Sequence, residues 1–317
     1  MLPALPRKTW FLLLPAALML VAVGYGVGGG SAARSGLAGF TTASPPPVAA
    51  SAALPEAIAI ERVRERPVAV GPGLPLDLRA AFEGDTDLYE YARQLRLAGE
   101  AGNAEARWMA SRVYDYCAAY AMDPAGYALD NGTLAALGLE AAPGLVAARE
   151  RVGHRCAGFV AADGLGRALV MSQRKLAAEG GNLAAEASLL AQGEPLQDDA
   201  DYRRGLVERV LESQDPEAFL ALSPAMGAAA SSDDAYQGLV AGNRFAELAW
   251  QMAACELGLA CGPDSVLMNS YCANGGICSQ DPGQDFISFV FDAAVPRQGA
   301  EKMNELVKRL RGGRGGR

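Results

Sequence analysis

The sequence predicts an all-α protein of antiparallel helical hairpins, disulfide-stabilised, with an N-terminal transmembrane or signal helix. Three observations carry this. Apolar residues recur at three- and four-residue spacing through most of the chain after residue 80. Six cysteines, an even number, follow a long apolar N-terminal run. No convincing pair of alternating strands joined by a tight turn is present.

The elements follow in chain order. Arg7 and Lys8 precede an uncharged run from Thr9 to Ala33, and its strongly apolar part, Trp10 to Val27, is 18 residues long. That is the short end of what spans a bilayer. A basic start, an apolar stretch and the small residues Ser31-Ala32-Ala33 also describe a cleavable secretory signal. Trp10 at the edge and the length favour a retained anchor over residues 1–30. In either case the two basic residues stay cytoplasmic and the remainder is exported. The first cysteine is Cys117, so nothing beside the apolar run suits lipid attachment. Residues 31–55, rich in Ala, Ser and Pro, bury little and read as a linker.

Residues 56–196 read as a helical-hairpin domain. Leu88, Tyr91, Ala92, Leu95 and Ala98 share a helix face, with Asp85 as a candidate N-cap. A second helix carries Trp108, Met109, Val113, Tyr116 and Cys117, and Gly99-Glu100-Ala101-Gly102-Asn103 turns the chain between the two. Asn131-Gly132-Thr133 has the form of a glycosylation sequon and is expected to be a plain turn. Residues 197–296 continue as helices ending in a Cys-rich cap. The segment 285–295, with Phe286, Ser288 and Val290 alternating, is expected to be a buried helix rather than a strand, because its neighbours are helical. Residues 297–317 form a basic C-terminal helix and a Gly/Arg tail too glycine-rich to stay helical.

The cysteines are Cys117, Cys156, Cys255, Cys261, Cys272 and Cys278. The last four lie in C-x5-C pairs, without the tight C-x2-C spacing of structural zinc, and the only histidine is His154. No C-x-x-C supports thiol–disulfide catalysis or haem attachment. Structural disulfides in an oxidising compartment are expected for all six. Cys117–Cys156 is one bridge, because the others cluster; Cys255–Cys272 and Cys261–Cys278 are the expected pairs within the cluster, helix with helix and loop with loop.

An internal echo links residues 96–106 to 175–185. Leu97, Ala98, Glu100, Gly102 and Asn103 match Leu176, Ala177, Glu179, Gly181 and Asn182. Alanines let two helices approach, glycine turns the chain and asparagine caps the next helix. This A-x-E-x-G-N-x-x-A turn resembles Sel1-type repeats, relatives of the tetratricopeptide repeats built from stacked αα-hairpins. The layout of anchor, linker, hairpins and Cys-rich end is similar to that of exported proteins of Gram-negative bacteria. The resemblance covers about two motifs within residues 85–195, so the hairpins are degenerate. It implies a periplasmic domain tethered to the inner membrane, or a soluble periplasmic or secreted protein if the signal is removed. It implies scaffolding or peptide binding rather than catalysis, and it carries no catalytic residue.

The remaining residues point the same way. His154 has no Gly-x-Ser-x-Gly elbow to serve, and reads as structural. The acidic runs Glu83-Asp85-Asp87 and Asp198-Asp199-Asp201, with Asp233-Asp234, precede helices and suit the positive end of the helix dipole. Trp108, Tyr114, Tyr116 and Tyr120 lie at helical spacing and read as core, as do Trp250 and Met252. The net charge of −8 argues against nucleic-acid binding. The charge is uneven: no Lys or Arg occurs from Trp250 to Pro296, whereas seven basic and two acidic residues occupy Arg297 to Arg317. Both stretches are expected to be solvated surface, though they can also pair with each other.

The expected function is a protein- or peptide-binding scaffold of the cell envelope, with a protein or peptide partner, the inner membrane reached through the N-terminal helix, and no nucleic acid. No catalytic, cofactor-binding or metal-binding residue and no cofactor is assigned. One alternative is a glycan or peptidoglycan hydrolase using paired carboxylates, which would require two carboxyl groups facing each other in a cleft about 5 to 9.5 Å apart. The other is a structural exported protein without a ligand.

Overall fold

Short polar side chains start most of the helices. The computed structural model describes residue 75 and residues 77–312, all of them helix, turn or irregular structure; the anchor, the linker and residues 313–317 lie outside these. Asp77 caps α1 (Leu78–Glu83) and Asp87 caps α2 (Leu88–Glu100). Asn103 caps α3 (Ala104–Met122), and Asp123 with Pro124 at the first position starts α4 (Pro124–Ala136). Then come α5 (Ala142–Arg155), α6 (Arg167–Glu179) and α7 (Leu183–Ala191), the last capped by Asn182. Asp199 caps α8 (Ala200–Ser213) and Asp215 caps α9 (Pro216–Leu222). Asn243, Ser265 and Asp285 cap α10 (Arg244–Glu256), α11 (Val266–Ala273) and α12 (Phe286–Ala294), and α13 (Ala300–Arg311) ends the described chain. Each cap accepts a first-turn amide that has no partner within its own helix.

The expected all-α class is observed, and residues 285–295 are helical as expected. Two local expectations are corrected. Asp87, not Asp85, accepts from the amides of Tyr89 and Glu90; a cap must adjoin the first turn, and Asp85 lies two residues too early. Asn131-Gly132-Thr133 is not a turn but part of α4, where the Asp123 cap and Pro124 start a helix that carries through it. The Thr133 hydroxyl donates to the Leu129 carbonyl one turn back.

The two echo turns have the same hydrogen bonds. Asn103 N–H reaches Ala98 O at 3.0 Å and Asn182 N–H reaches Ala177 O at 3.0 Å. Gly102 (φ +97°) and Gly181 (φ +89°) take the left-handed conformation that lets the chain reverse. The turns also touch. Asn182 Nδ2 donates to Glu105 Oε2 at 2.6 Å, and a Cβ on Gly180 would lie 2.9 Å from that of Ala104. Gly180, which stands where the first turn has Ala101, leaves room for that contact.

Stacking runs from α2 through α3, α6, α7, α9 and α10 to α13, with α4 and α11 packed on α5. One hydrophobic cluster extends from Phe82 to Leu310, with Trp108, Trp250, Phe219 and Phe286 at most 2% exposed. Trp108, Tyr114, Tyr116, Trp250 and Met252 are buried in it, and Tyr120 packs edge-on against Tyr127. A buried ion pair, Arg112 with Glu217, ties α3 to α9, and the Arg112 guanidinium lies over the Phe82 and Trp108 rings. Among the described residues no helix is long and apolar enough to cross a membrane.

Candidate functional site

The cysteines organise the region that carries a cleft. Cys117, on α3, joins Cys156 just after α5, and both are fully buried. The other two bridges differ from the expected pairing: they are Cys255–Cys261 and Cys272–Cys278, each joining cysteines six positions apart. The cause is helix termination. Gly258 (φ +107°) and Gly276 (φ +68°) turn the chain left-handed just past α10 and α11. Leu259 N–H and Ile277 N–H bond back to Ala254 O and Tyr271 O, each at 3.0 Å. The chain therefore doubles back, and the second cysteine of each pair returns beside the first, with Cα atoms 5.7 and 4.3 Å apart.

The second of these clips walls a cleft of about 370 Å³. One side is α5, with Pro143, Ala147 and Arg151; the other is α11, with Met268 and Cys272. Pro263 and Asp264 close one end, and the loop from Cys278 to Gln284 forms the outer wall. Each wall is held from behind. Arg151 Nε donates to Asn269 Oδ1 at 3.1 Å, and Asn269 Nδ2 donates to the Tyr116 hydroxyl in the core. Burial raises the Tyr116 phenol, so it stays protonated at neutral pH. In the outer loop the Ser279 hydroxyl accepts the Asp281 amide at 3.0 Å, and Asp281 Oδ1 accepts the Gly283 amide at 2.8 Å. Phe286 N–H reaches Cys261 O at 2.9 Å, linking the loop's far end to the first clip.

Chemically the cleft is an apolar trough with an acidic rim. Proline, alanine, methionine and the disulfide supply its apolar surface. Glu140, Asp264 and Asp281 supply three carboxylates against the single guanidinium of Arg151, which lies 3.7 Å from Asp264. Leu139 and Ile277, next in sequence to lining residues, are 60% and 50% exposed. Such a site can take an extended segment bearing both apolar and cationic side chains.

The other candidate residues fall elsewhere. His154 is 78% exposed, with Nδ1 3.9 Å from Asp85 Oδ1. Asp199 caps α8, Asp198 pairs with Arg203, and Asp233 both caps a 3₁₀ turn and pairs with Arg203. Glu83 is the exception among the acidic runs: it ends α1 rather than starting a helix, and caps α11 from outside. Arg311 pairs with Glu256 at 2.6 Å, so the basic C-terminal helix does meet the acidic stretch at one point. Among the described residues no group of three or more His, Cys, Asp or Glu is placed to hold a metal ion. The cleft residues Glu140, Ala147, Arg151 and Met268 escaped sequence reasoning, because the cleft joins segments more than a hundred residues apart. Comparison with family models, curated proteins and solved structures yields no match.

Proposed function

We propose that the chain is an envelope protein, tethered to the inner membrane by its N-terminal helix, whose periplasmic Sel1-like helical domain binds a polypeptide partner. The cleft between α5 and α11 supports this reading. Its apolar trough suits aliphatic side chains, and its three rim carboxylates against one arginine suit a segment that also carries Lys or Arg. The disulfide and the core-anchored Asn269 hold both walls before a partner arrives, which lowers the ordering cost of binding.

Random-peptide display against the full chain, folded under oxidising conditions, tests the proposal. Peptides combining basic and apolar residues should be enriched, and Ala147→Trp, which fills the trough, should abolish their binding. Failure to enrich any peptide, or enriched peptides indifferent to A147W, would end the reading.

A further inference from the structure

A second concavity lies apart from the cleft, where α13 crosses the N-terminal turn of α10. Its volume is about 430 Å³, within the range of small-molecule sites. Val240, Phe245 and Leu306 give it apolar walls, and Arg244, Lys302 and Arg309 surround them. No Asp or Glu lines it. The arrangement follows from helical spacing: Lys302, Leu306 and Arg309 lie four and three residues apart on one face of α13, so an apolar side chain sits between two cations. The first turn of α10 adds its positive dipole end.

The three cations have only weak partners. Lys302 pairs with Glu305 at 2.8 Å and Arg244 with Glu247 at 2.9 Å, both three residues along the same helix, with the cations more than half exposed. Such surface pairs contribute little and exchange readily. Arg309 donates to the Gly238 carbonyl at 3.4 Å and shares the field of the exposed Glu305 carboxylate with Lys302.

We propose that this groove binds a small amphiphilic anion: an aliphatic chain ending in a carboxylate or phosphate head. The chain lies on Val240, Phe245 and Leu306, and the head meets Arg244, Lys302 and Arg309. Neither half of the groove suits a purely polar anion or a neutral alcohol. The site is independent of the peptide cleft.

Trp250 provides a reporter. It is fully buried, and its indole N–H donates at 2.8 Å to the carbonyl of Val240 in the groove wall. The full chain in phosphatidylcholine nanodiscs would be titrated with octanoate, octyl phosphate, octanol and acetate while the Trp250 indole N–H resonance is followed. Octanoate and octyl phosphate should shift it saturably, with octanol and acetate weaker by roughly ten-fold or more. Lys302→Gln combined with Arg309→Gln should weaken octanoate by about the same factor. Arg244→Gln should weaken it in the same direction, and serves alone if the double variant misfolds. Equal affinity for octanoate and octanol, equal affinity for octanoate and acetate, or unchanged binding by a folded charge variant would each overturn the assignment.

Discussion

The carboxylate of Glu83, at the end of α1, accepts the backbone N–H of Val266 at 2.9 Å and so caps α11 from a position 183 residues away. Burial pushes this carboxyl above its ordinary value near 4.5, against the opposing pull of that N–H, Arg112 and Arg155; Glu217 adds to the rise. The folded state therefore holds the Glu83 proton more tightly than the unfolded chain does. Its contribution to stability is complete below the ordinary value and fades as pH climbs through the raised one. Glu83→Gln keeps an acceptor for Val266 but cannot ionise. Urea midpoints measured from about pH 4 to pH 8 should show the variant gaining on the natural protein as pH rises. A constant difference across that range would contradict the assignment. Glu83→Ala, which removes the cap, should cost about 1 kcal/mol.

The buried pair of Arg112 and Glu217 makes a different prediction. Glu217 is 3% exposed and the Arg112 side chain 14%. Glu217→Ala strands a buried guanidinium and should cost about 3 to 5 kcal/mol. Replacing both partners, by Arg112→Met with Glu217→Leu, should recover most of that loss, because no charge is then left unpaired. A double variant as unstable as the single one would show that the pair's value lies in packing rather than in compensation of charge.

The bridges should separate by loop size. Cys117–Cys156 spans 39 residues, and its removal as a Ser pair should cost about 4 kcal/mol in the chain-entropy account. Cys272–Cys278 spans 6, and the corresponding loss is about 2 kcal/mol. Its loss should also free the 278–284 wall of the cleft, giving new protease cleavage there and weaker peptide binding. Cleavage of the oxidised protein on the N-terminal side of aspartates should release 234–263, with Cys255 joined to Cys261, and 264–280, with Cys272 joined to Cys278, as separate peptides; the two peptides held together by disulfides would refute the connectivity.

What could be read beforehand depended on how local the cause was. Helices were legible because Leu88, Tyr91, Ala92 and Leu95 recur with the helical period and are buried. Cys117–Cys156 was legible because the remaining cysteines cluster in sequence. The other two bridges were misread by pairing like with like across helices, although Gly258 and Gly276 stood in the sequence as the turns that bring each chain back on itself. The cleft was not legible. It joins residues 140–151 to residues 263–284 through a packing contact between α5 and α11, and no local pattern announces such a contact.

Glycines separate backbone effects from packing effects in one set of variants. Gly102 and Gly181 have positive φ and open space where a Cβ would go, so Gly102→Ala and Gly181→Ala should each cost about 1 to 2 kcal/mol through backbone conformation alone. Gly180 has an ordinary φ of −80°, yet its Cβ would meet that of Ala104 at 2.9 Å. Gly180→Ala should therefore cost about 1 to 3 kcal/mol by forcing the two echo turns apart. Ala104→Gly, which is destabilising by itself in a helix, should recover part of the cost of that second substitution, the remainder lying in the Leu176 and Ala177 carbonyls 3.3 Å from the added Cβ. Gly205, in α8, has neither a positive φ nor a neighbour within 4 Å, so Gly205→Ala should raise stability by up to about 1 kcal/mol. Thermal or urea unfolding of the five single variants and the A104G/G180A double under oxidising conditions gives the comparison. Additive losses for A104G and G180A would show that the turns do not press on each other, and the stacked-hairpin geometry would fail at its central contact.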